Sequence, residues 1–298
     1  MSAQDFVDRQ APAHGPDAPT FAADERCRLA DLIESRAMAD MYSAAPPGLA
    51  FRSEIIDGAT LLMAPRLPVA YFNRVIGLGV AQPATEASLG AIIERFENAE
   101  VAEYWIHLNP AARPHALANW LADRGFAPPP RRTWAKFLRG PEPYAPRPSE
   151  LVVREAEPGD AHAIAQTVCD AFGMPSMLAP WFAALVGRPR WRFVVAERAG
   201  AVVAAGAVFI DGDRAWLGIG ATLAQHRKLG AQSTLLAARV ALAAQAGCSV
   251  LSTETGEAVA GEPNPSLSNI RRAGFEQVCS RTNLAAPKPG VEATRGTQ

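Results

Sequence analysis

The stretch AWLGIGAT at 215–222, followed by LAQHRKLGAQSTLL at 223–236, decides how this chain is read. Its apolar first part predicts a buried strand, and its alanine- and leucine-rich end predicts a helix. Between them lies a basic turn with Arg227, Lys228 and Gly230. A helix that opens on such a turn presents unpaired backbone N–H groups and the positive end of its dipole to one point, which makes an anion site. Gly230 lets the backbone bend sharply and approach a ligand with no Cβ in the way. The turn lacks the Gly-Lys-Ser/Thr ending of a P-loop. A nucleoside triphosphate with magnesium therefore fits poorly, and a pyrophosphate that needs no metal fits better.

Outside this stretch, 298 residues of which 49% are hydrophobic are enough for two domains. A formal net charge of −1 gives no general attraction to nucleic acid or to an anionic membrane. No run reaches the ~18 apolar residues of a membrane span. Residues 1–20 have no signal-peptide pattern and are expected to be a disordered arm, as is the tail at 286–298. Cys27, Cys169, Cys248 and Cys279 are far apart and match no metal spacing. They read as reduced, mostly buried thiols of a cytoplasmic protein, and five scattered histidines add no metal site.

The strongest break is the run GPEPYAPRP at 140–148, whose four prolines suit a semi-rigid linker over 140–150. The second half, 151–285, predicts a strand at 151–154, then a helix capped by Asp160 and running to about 172. A helix at 177–186 follows, then a hairpin of strands 191–197 and 202–210 and the strand 215–222. The helix 231–246 comes next, ended by Gly247, then strand 250–254, helix 265–273 and strand 275–284. The first half, 21–139, predicts helices at 24–42, 85–96 and 114–124 and strands at 60–64, 71–77, 103–108 and 134–139. LANWLADRGF at 117–126 matches LSNIRRAGF at 267–275, each a helix closed by Gly-Phe before a strand. These are either a diverged internal repeat or two unrelated glycine-capped helices.

This order of elements, with the RKLGAQ turn at 227–232 and the Gly-Phe pair downstream, resembles the GNAT N-acetyltransferase superfamily. The resemblance spans 151–285 fully and 21–139 in degenerate form. It implies an α/β fold of two tandem GNAT-like domains, with a mixed central sheet flanked by helices. It also implies an enzyme that moves an acetyl group from acetyl-CoA to a primary amine by direct attack, without metal. The strand before the turn would carry a bulge and splay from its neighbour, and the pantetheine arm would lie on the edge supplied by Ile219 to Leu223, with Ala221, Thr222 and Leu223 as cofactor residues on it. The backbone N–H near Thr222 would face the thioester carbonyl, and the turn from Arg227 through Lys228, Leu229, Gly230, Ala231, Gln232 and Ser233 would hold the pyrophosphate.

Several positions carry two readings. Gly218 and Gly220 suit either close strand packing or a bulge. Glu254 is either a general base acting through water or a solvated strand-end carboxylate. Asn264 and Asn269 fit the polar helix beside the cofactor arm, while Asn264 equally suits an N-cap before Pro265. Trp181, Phe182, Trp191 and Phe193 wall either an acceptor pocket or the core. Arg188, Arg190 and Arg192 are a solvated face or a site for an acidic acceptor. The motif normally ends in glycine or alanine, whereas this chain has Gln232; its side chain is expected to point outward, with the Ser233 hydroxyl compensating. The position where many relatives keep an acid tyrosine is Ile270. In the first half no such basic turn follows the strand at 71–77, and Glu86 stands where phosphate needs a cation, so this half is expected to bind no CoA and to wall the acceptor cleft instead. The rival class is an acyl-CoA sensor or scaffold that does no chemistry.

Overall fold

The computed structural model describes residues 22–67, 69–129 and 133–288; the expected arm at 1–20 and most of the expected tail lie outside them. The first half runs α1 (Ala23–Ser43), β1 (Arg52–Ile56), β2 (Ala59–Met63), β3 (Arg74–Ile76), α2 (Glu86–Asn98), β4 (Trp105–Leu108), α3 (Leu117–Asp123) and β5 (Thr133–Arg139). The second half runs β6 (Val152–Glu155), α4 (Ala161–Phe172), α5 (Ala179–Ala183), β7 (Trp191–Arg198), β8 (Ala201–Asp211), β9 (Arg214–Thr222), α6 (Ala231–Gln245), β10 (Val250–Gly256), α7 (Pro265–Arg272) and β11 (Glu276–Ala285). Among the described residues these strands form one mixed sheet, in the order β1-β2-β3-β4-β11-β5-β10-β9-β8-β7-β6, flanked by the helices.

Each half contains one parallel pair closed by a crossover helix: β3 and β4 through α2, and β9 and β10 through α6. The halves then exchange their last strands. β5 pairs antiparallel with β10, and β11 inserts between β4 and β5. Helix α1 lies across the centre of this sheet and touches β1, β2, β3 and β5 of its own half and β9, β10 and β11 of the other. The two Gly-Phe closures have the same geometry. Phe126 N–H donates to Leu121 O and Phe275 N–H to Ile270 O, with Gly125 and Gly274 both at positive φ. Both are Schellman closures, a geometry shared by a diverged repeat and by two unrelated glycine-capped helices.

Local departures have local causes. The strand β1 escapes the pattern because Arg52 and Glu54 interrupt its apolar run, yet Asp57-Gly58 is a hairpin turn with both residues at positive φ. The expected strand at 71–77 is a 3-10 turn, Ala70–Phe72, followed by the three residues of β3. The expected helix at 177–186 breaks into a 3-10 turn, Ser176–Leu178, and the short α5. Asp160 does not cap α4 through its side chain; Arg154 holds its carboxylate at 2.7 and 2.8 Å. Thr85 does cap α2, accepting from Ser88 N–H at 3.0 Å.

The reading of four reduced thiols is corrected. Cys27 at the start of α1 is disulfide-bonded to Cys279 on β11, with Cα atoms 5.7 Å apart, while Cys169 and Cys248 are free and buried. The exchange of β11 into the first half brings together residues 252 positions apart, which spacing along the chain cannot show. The cytoplasmic expectation loses the support it took from reduced cysteines. No described helix is long and apolar enough to cross a membrane.

Candidate functional site

Strands β9 and β10 pair only at their starts, over Val250↔Arg214, Leu251↔Ala215 and Ser252↔Trp216. Beyond that point they fork, and the Thr253 hydroxyl, rather than a ladder amide, donates to Leu217 O at 2.7 Å. On the other side of β9 the register to β8 shifts, so that Ile219 and Gly220 stand opposite Gly206 alone. This is a bulge, with Ile219 at φ 53. A β-branched residue there costs roughly 1–3 kcal/mol, which the surroundings must offset. Arg239 on α6 does so from below, donating to Ala207 O at 3.3 Å and Gly218 O at 3.0 Å. Arg239 is buried without a carboxylate partner among the described residues, and burial pulls its pKa down to about 10. A Cβ on Gly206 would meet its guanidinium at 2.8 Å, which explains that glycine.

Leu223 N–H donates to Val203 O at 3.0 Å, so its amide belongs to the β8 edge and not to the fork. Strand hydrogen bonding alternates, and the N–H of Thr222 therefore faces the fork. Below it, Gly230 opens α6 at φ 83 after Lys228 at φ 67. The N–H groups of Lys228, Leu229, Gly230, Ala231 and Gln232 have no partner among the described residues, whereas those of Ser233 and Thr234 both close on Gly230 O. Two expectations about this turn are corrected. Gln232 does not point outward: its Nε2 donates to Thr222 Oγ1 at 3.0 Å, and a Cβ on Gly220 would lie 3.1 Å from its Oε1. The Ser233 hydroxyl is not open to a ligand, since Tyr144 and the Arg147 N–H engage it at 2.8 and 2.9 Å. The proline-rich segment thus lies along the turn, where Ser149 also donates to Leu229 O at 2.6 Å.

Glu254 sits inside β10 on the fork, with its side chain only 12% exposed, and is not a solvated strand-end carboxylate. It accepts from Trp216 Nε1 at 3.0 Å and from Lys136 Nζ at 2.9 Å. Lys136 also bonds Glu34 at 2.7 Å, Glu34 bonds Arg281 at 2.5 Å, and Arg281 bonds Asp31 at 2.8 Å. The exchanged strands β5 and β11 supply the two cations, and α1 supplies Glu34 and Asp31. Burial raises the Glu254 pKa, assisted by the Glu34 charge and opposed by Lys136. For Glu34, burial acts the same way, but Arg281 and Lys136 outweigh it and hold the carboxyl well below its ordinary value. None of Glu34, Lys136, Arg281, Trp216 or Arg239 was singled out in the sequence; a lone arginine in the alanine-rich run 231–245 is the one signal that was legible.

Gly218 is where it is because the Trp216 indole folds over it: a Cβ would lie 1.8 Å from Cη2 of that ring. Gly218→Ala is expected to push the indole off Glu254 and to lower stability by about 1–3 kcal/mol, as overpacking does. Denaturant melts followed by tryptophan emission check this. A variant with unchanged midpoint and emission would refute the packing role.

A continuous cleft of about 1640 Å³ joins these parts. It runs from the turn (Arg227 to Ser233) past Gly218 to Thr222 and Glu254, and reaches Tyr71, Arg74, His107 and Trp134 of the first half. Of the expected cofactor residues, Ala221, Thr222, Arg227, Lys228, Leu229, Gly230, Ala231, Gln232, Ser233 and Asn269 line it. Leu223 and Asn264 do not; Asn264 caps α7, accepting from Leu267 N–H at 3.0 Å. Ile270 lines the cleft as well. Trp181 and Phe182 serve as core and cleft wall together, while Trp191 and Phe193 are core. Arg188, Arg190 and Arg192 are paired with Asp40, Asp211 and Glu155 and do not face the cleft.

No family model matches the sequence, and no curated protein matches it. Solved structures do. The chain is similar to a GCN5-related N-acetyltransferase from Kribbella flavida, at 20% identity and TM-score 0.56, over 85% of this chain and 96% of that one. A GCN5-related N-acetyltransferase from Sphaerobacter thermophilus matches at 17% identity and TM-score 0.56, over 94% and 99%. A tandem GNAT protein from the clavulanic acid biosynthesis pathway matches at 16% identity and TM-score 0.57, over 98% and 96%. At these identities the likeness is one of fold, and the chain has the GNAT fold expected from its sequence.

Proposed function

We propose that this chain moves an acetyl group from acetyl-CoA to a primary amine by direct attack of the amine on the thioester. The observation that carries the reading is the fork: a bulged strand edge, a turn of five open amides and a buried carboxylate share one cleft. The open amides and the helix dipole suit a pyrophosphate, Arg227 and Lys228 add positive charge, and the free edge of β9 suits an extended amide-bearing arm. Acetyl-CoA supplies the activated acyl group. The Thr222 N–H stands where negative charge develops on an acyl oxygen, and Glu254 stands where a proton leaves an attacking nitrogen. Lys136 and Trp216 hold the Glu254 carboxylate in place. In this reading 151–285 is the catalytic domain, 21–139 a degenerate domain that walls the acceptor cleft, and 140–150 the linker between them. A cytoplasmic enzyme that uses no metal is part of the same proposal.

Glu254→Gln is expected to lower kcat by about 10²–10⁴-fold with little change in acetyl-CoA affinity. The base must be ionised, so kcat/KM is expected to rise with pH along a limb whose midpoint lies above the ordinary carboxyl value of 4.5. Thiol release across a panel of amines, at pH 4 to 9, measures both. Equal turnover in the variant, or a limb centred below 4.5, rules Glu254 out as the base. The rival reading, an acyl-CoA sensor, draws support from Ile270 in the acid position and from Gln232 lying across the fork. Acetyl-CoA binding with no thiol release for any amine would favour it.

A further inference from the structure

The end of the cleft built by the first half holds polar groups that the acyl-transfer reading leaves idle. Arg74 on β3 lines the cleft and is 8% exposed. Its guanidinium donates to Tyr71 O at 2.8 Å, contacts Met38 Sδ at 3.2 Å and lies 5.0 Å from the Tyr71 ring centroid. Its Nε has no acceptor, and among the described residues no carboxylate lies within ion-pair distance of it. On the neighbouring strand β4, His107 also lines the cleft, is 1% exposed, and has no partner at either ring nitrogen. Burial, then the charges of Arg281 and Arg74, hold its imidazole well below the ordinary pKa, so it is neutral and offers one N–H donor. Buried polar groups are normally bonded. A guanidinium with an open Nε and no carboxylate in ion-pair contact, and an unpartnered imidazole on the adjacent strand, both facing one cleft, therefore mark a place for a ligand group.

Charge bookkeeping gives that group its sign. Asp31, Glu34 and Glu254 carry three negative charges in and beneath this cleft, against four buried cations, Lys136, Arg281, Arg74 and Arg239. An ammonium entering beside Glu254 would add to this positive excess, which is costly at low dielectric. A molecule that brings its own negative charge to Arg74 offsets that added charge. Between the two ends, Met38, Tyr71, Trp134 and Trp216 offer an apolar and aromatic wall to the body of such a molecule.

We propose that the acceptor is an amino-carboxylate: its amine faces Glu254 and its carboxylate is bound by Arg74, with His107 donating a further hydrogen bond. This rests on the acyl-transfer reading for the role of the amine end, but binding alone tests the carboxylate end. The experiment is calorimetry on the full chain with CoA present, titrating aromatic and ω-amino carboxylates against their carboxamides and decarboxylated amines. A charge-assisted, partly buried contact predicts a preference of about 10-fold or more for the best carboxylate. Arg74→Gln is expected to reduce that preference to about twofold, Arg74→Lys to keep part of it, and His107→Gln to weaken it less. CoA affinity, read in the same samples, reports that each variant is folded; should Arg74→Gln fail to fold, Arg74→Lys and His107→Gln carry the comparison. Equal binding of carboxylate and carboxamide, a preference that survives the Arg74 variants, or no amino-carboxylate bound at all would overturn the proposal. Thiol release on the same panel separates the two readings. Amino-carboxylates that bind without turnover would sink acyl transfer and leave this inference standing, whereas indifferent turnover of carboxylates and amides would do the reverse.

Discussion

Arg281→Met is expected to destabilise the folded chain by about 3–5 kcal/mol, the loss that follows when one member of a buried ion network is removed. Arg281 is fully buried on β11 and bonds both Asp31 and Glu34 of α1. Without it, Asp31 keeps no cation within bonding distance among the described residues, and Glu34 keeps only Lys136. The double variant Arg281→Met, Asp31→Leu is expected to recover part of the loss, because it removes the stranded carboxylate as well. Urea melts measure both. The pH dependence carries a sign. Glu34 has its folded pKa depressed, so its contribution is fully present above the ordinary value of 4.5 and is lost as pH falls through the folded value. The deficit of the Arg281 variant is therefore expected to be widest near neutrality and to shrink on acidification. A deficit under about 1 kcal/mol, or one that widens in acid, would contradict a network that holds α1 onto the exchanged strands.

Gly230→Val is expected to weaken acetyl-CoA binding by at least about 100-fold, the scale of losing two or more charge-assisted hydrogen bonds. Gly230 opens α6 at φ 83, a region where a β-branched residue is strained. A Cβ there would also meet Pro148 O and Ser149 Cβ, both at 3.1 Å. The turn would have to move away from the proline-rich segment, and the open amides of Lys228 to Gln232 would lose their common aim. Calorimetry gives the affinity directly. A thermal melt gives an independent reading, since a ligand that binds only the folded state raises its midpoint. Wild-type affinity in a folded Gly230→Val protein would remove the turn as the cofactor site, and the acyl-transfer reading with it.

The fork and the network explain each other in part. Lys136 faces Glu254 in the β5–β10 register, so the exchange of β5 delivers a cation to the carboxylate proposed as base. The same exchange places β11, with Arg281 and Cys279, beneath α1. Helix α1 of the first half is thereby fixed over the cleft of the second, with Glu34 and Met38 in its lining.

What the chain declares by itself is what short-range chemistry controls. The glycine turn at 227–232, the Thr85 and Asn264 caps, the two Gly-Phe closures and the 198–201 hairpin turn depend on residues within a few positions of one another. Their conformations follow from steric and hydrogen-bonding preferences that neighbours impose, whereas the bulge at Ile219 also draws on Arg239 of α6, which holds Ala207 O and Gly218 O. Strand exchange, the pairing of Cys27 with Cys279, and the gathering of Asp31, Glu34, Lys136, Glu254 and Arg281 were decided only by the tertiary structure. These join segments a hundred or more residues apart, and the register of distant strands leaves no local trace. Gln232 shows the same limit at short range, since its side chain turned toward Thr222 because an acceptor across the fork was available there. Arg74 and His107 read as ordinary strand residues until the fold emptied the space in front of them.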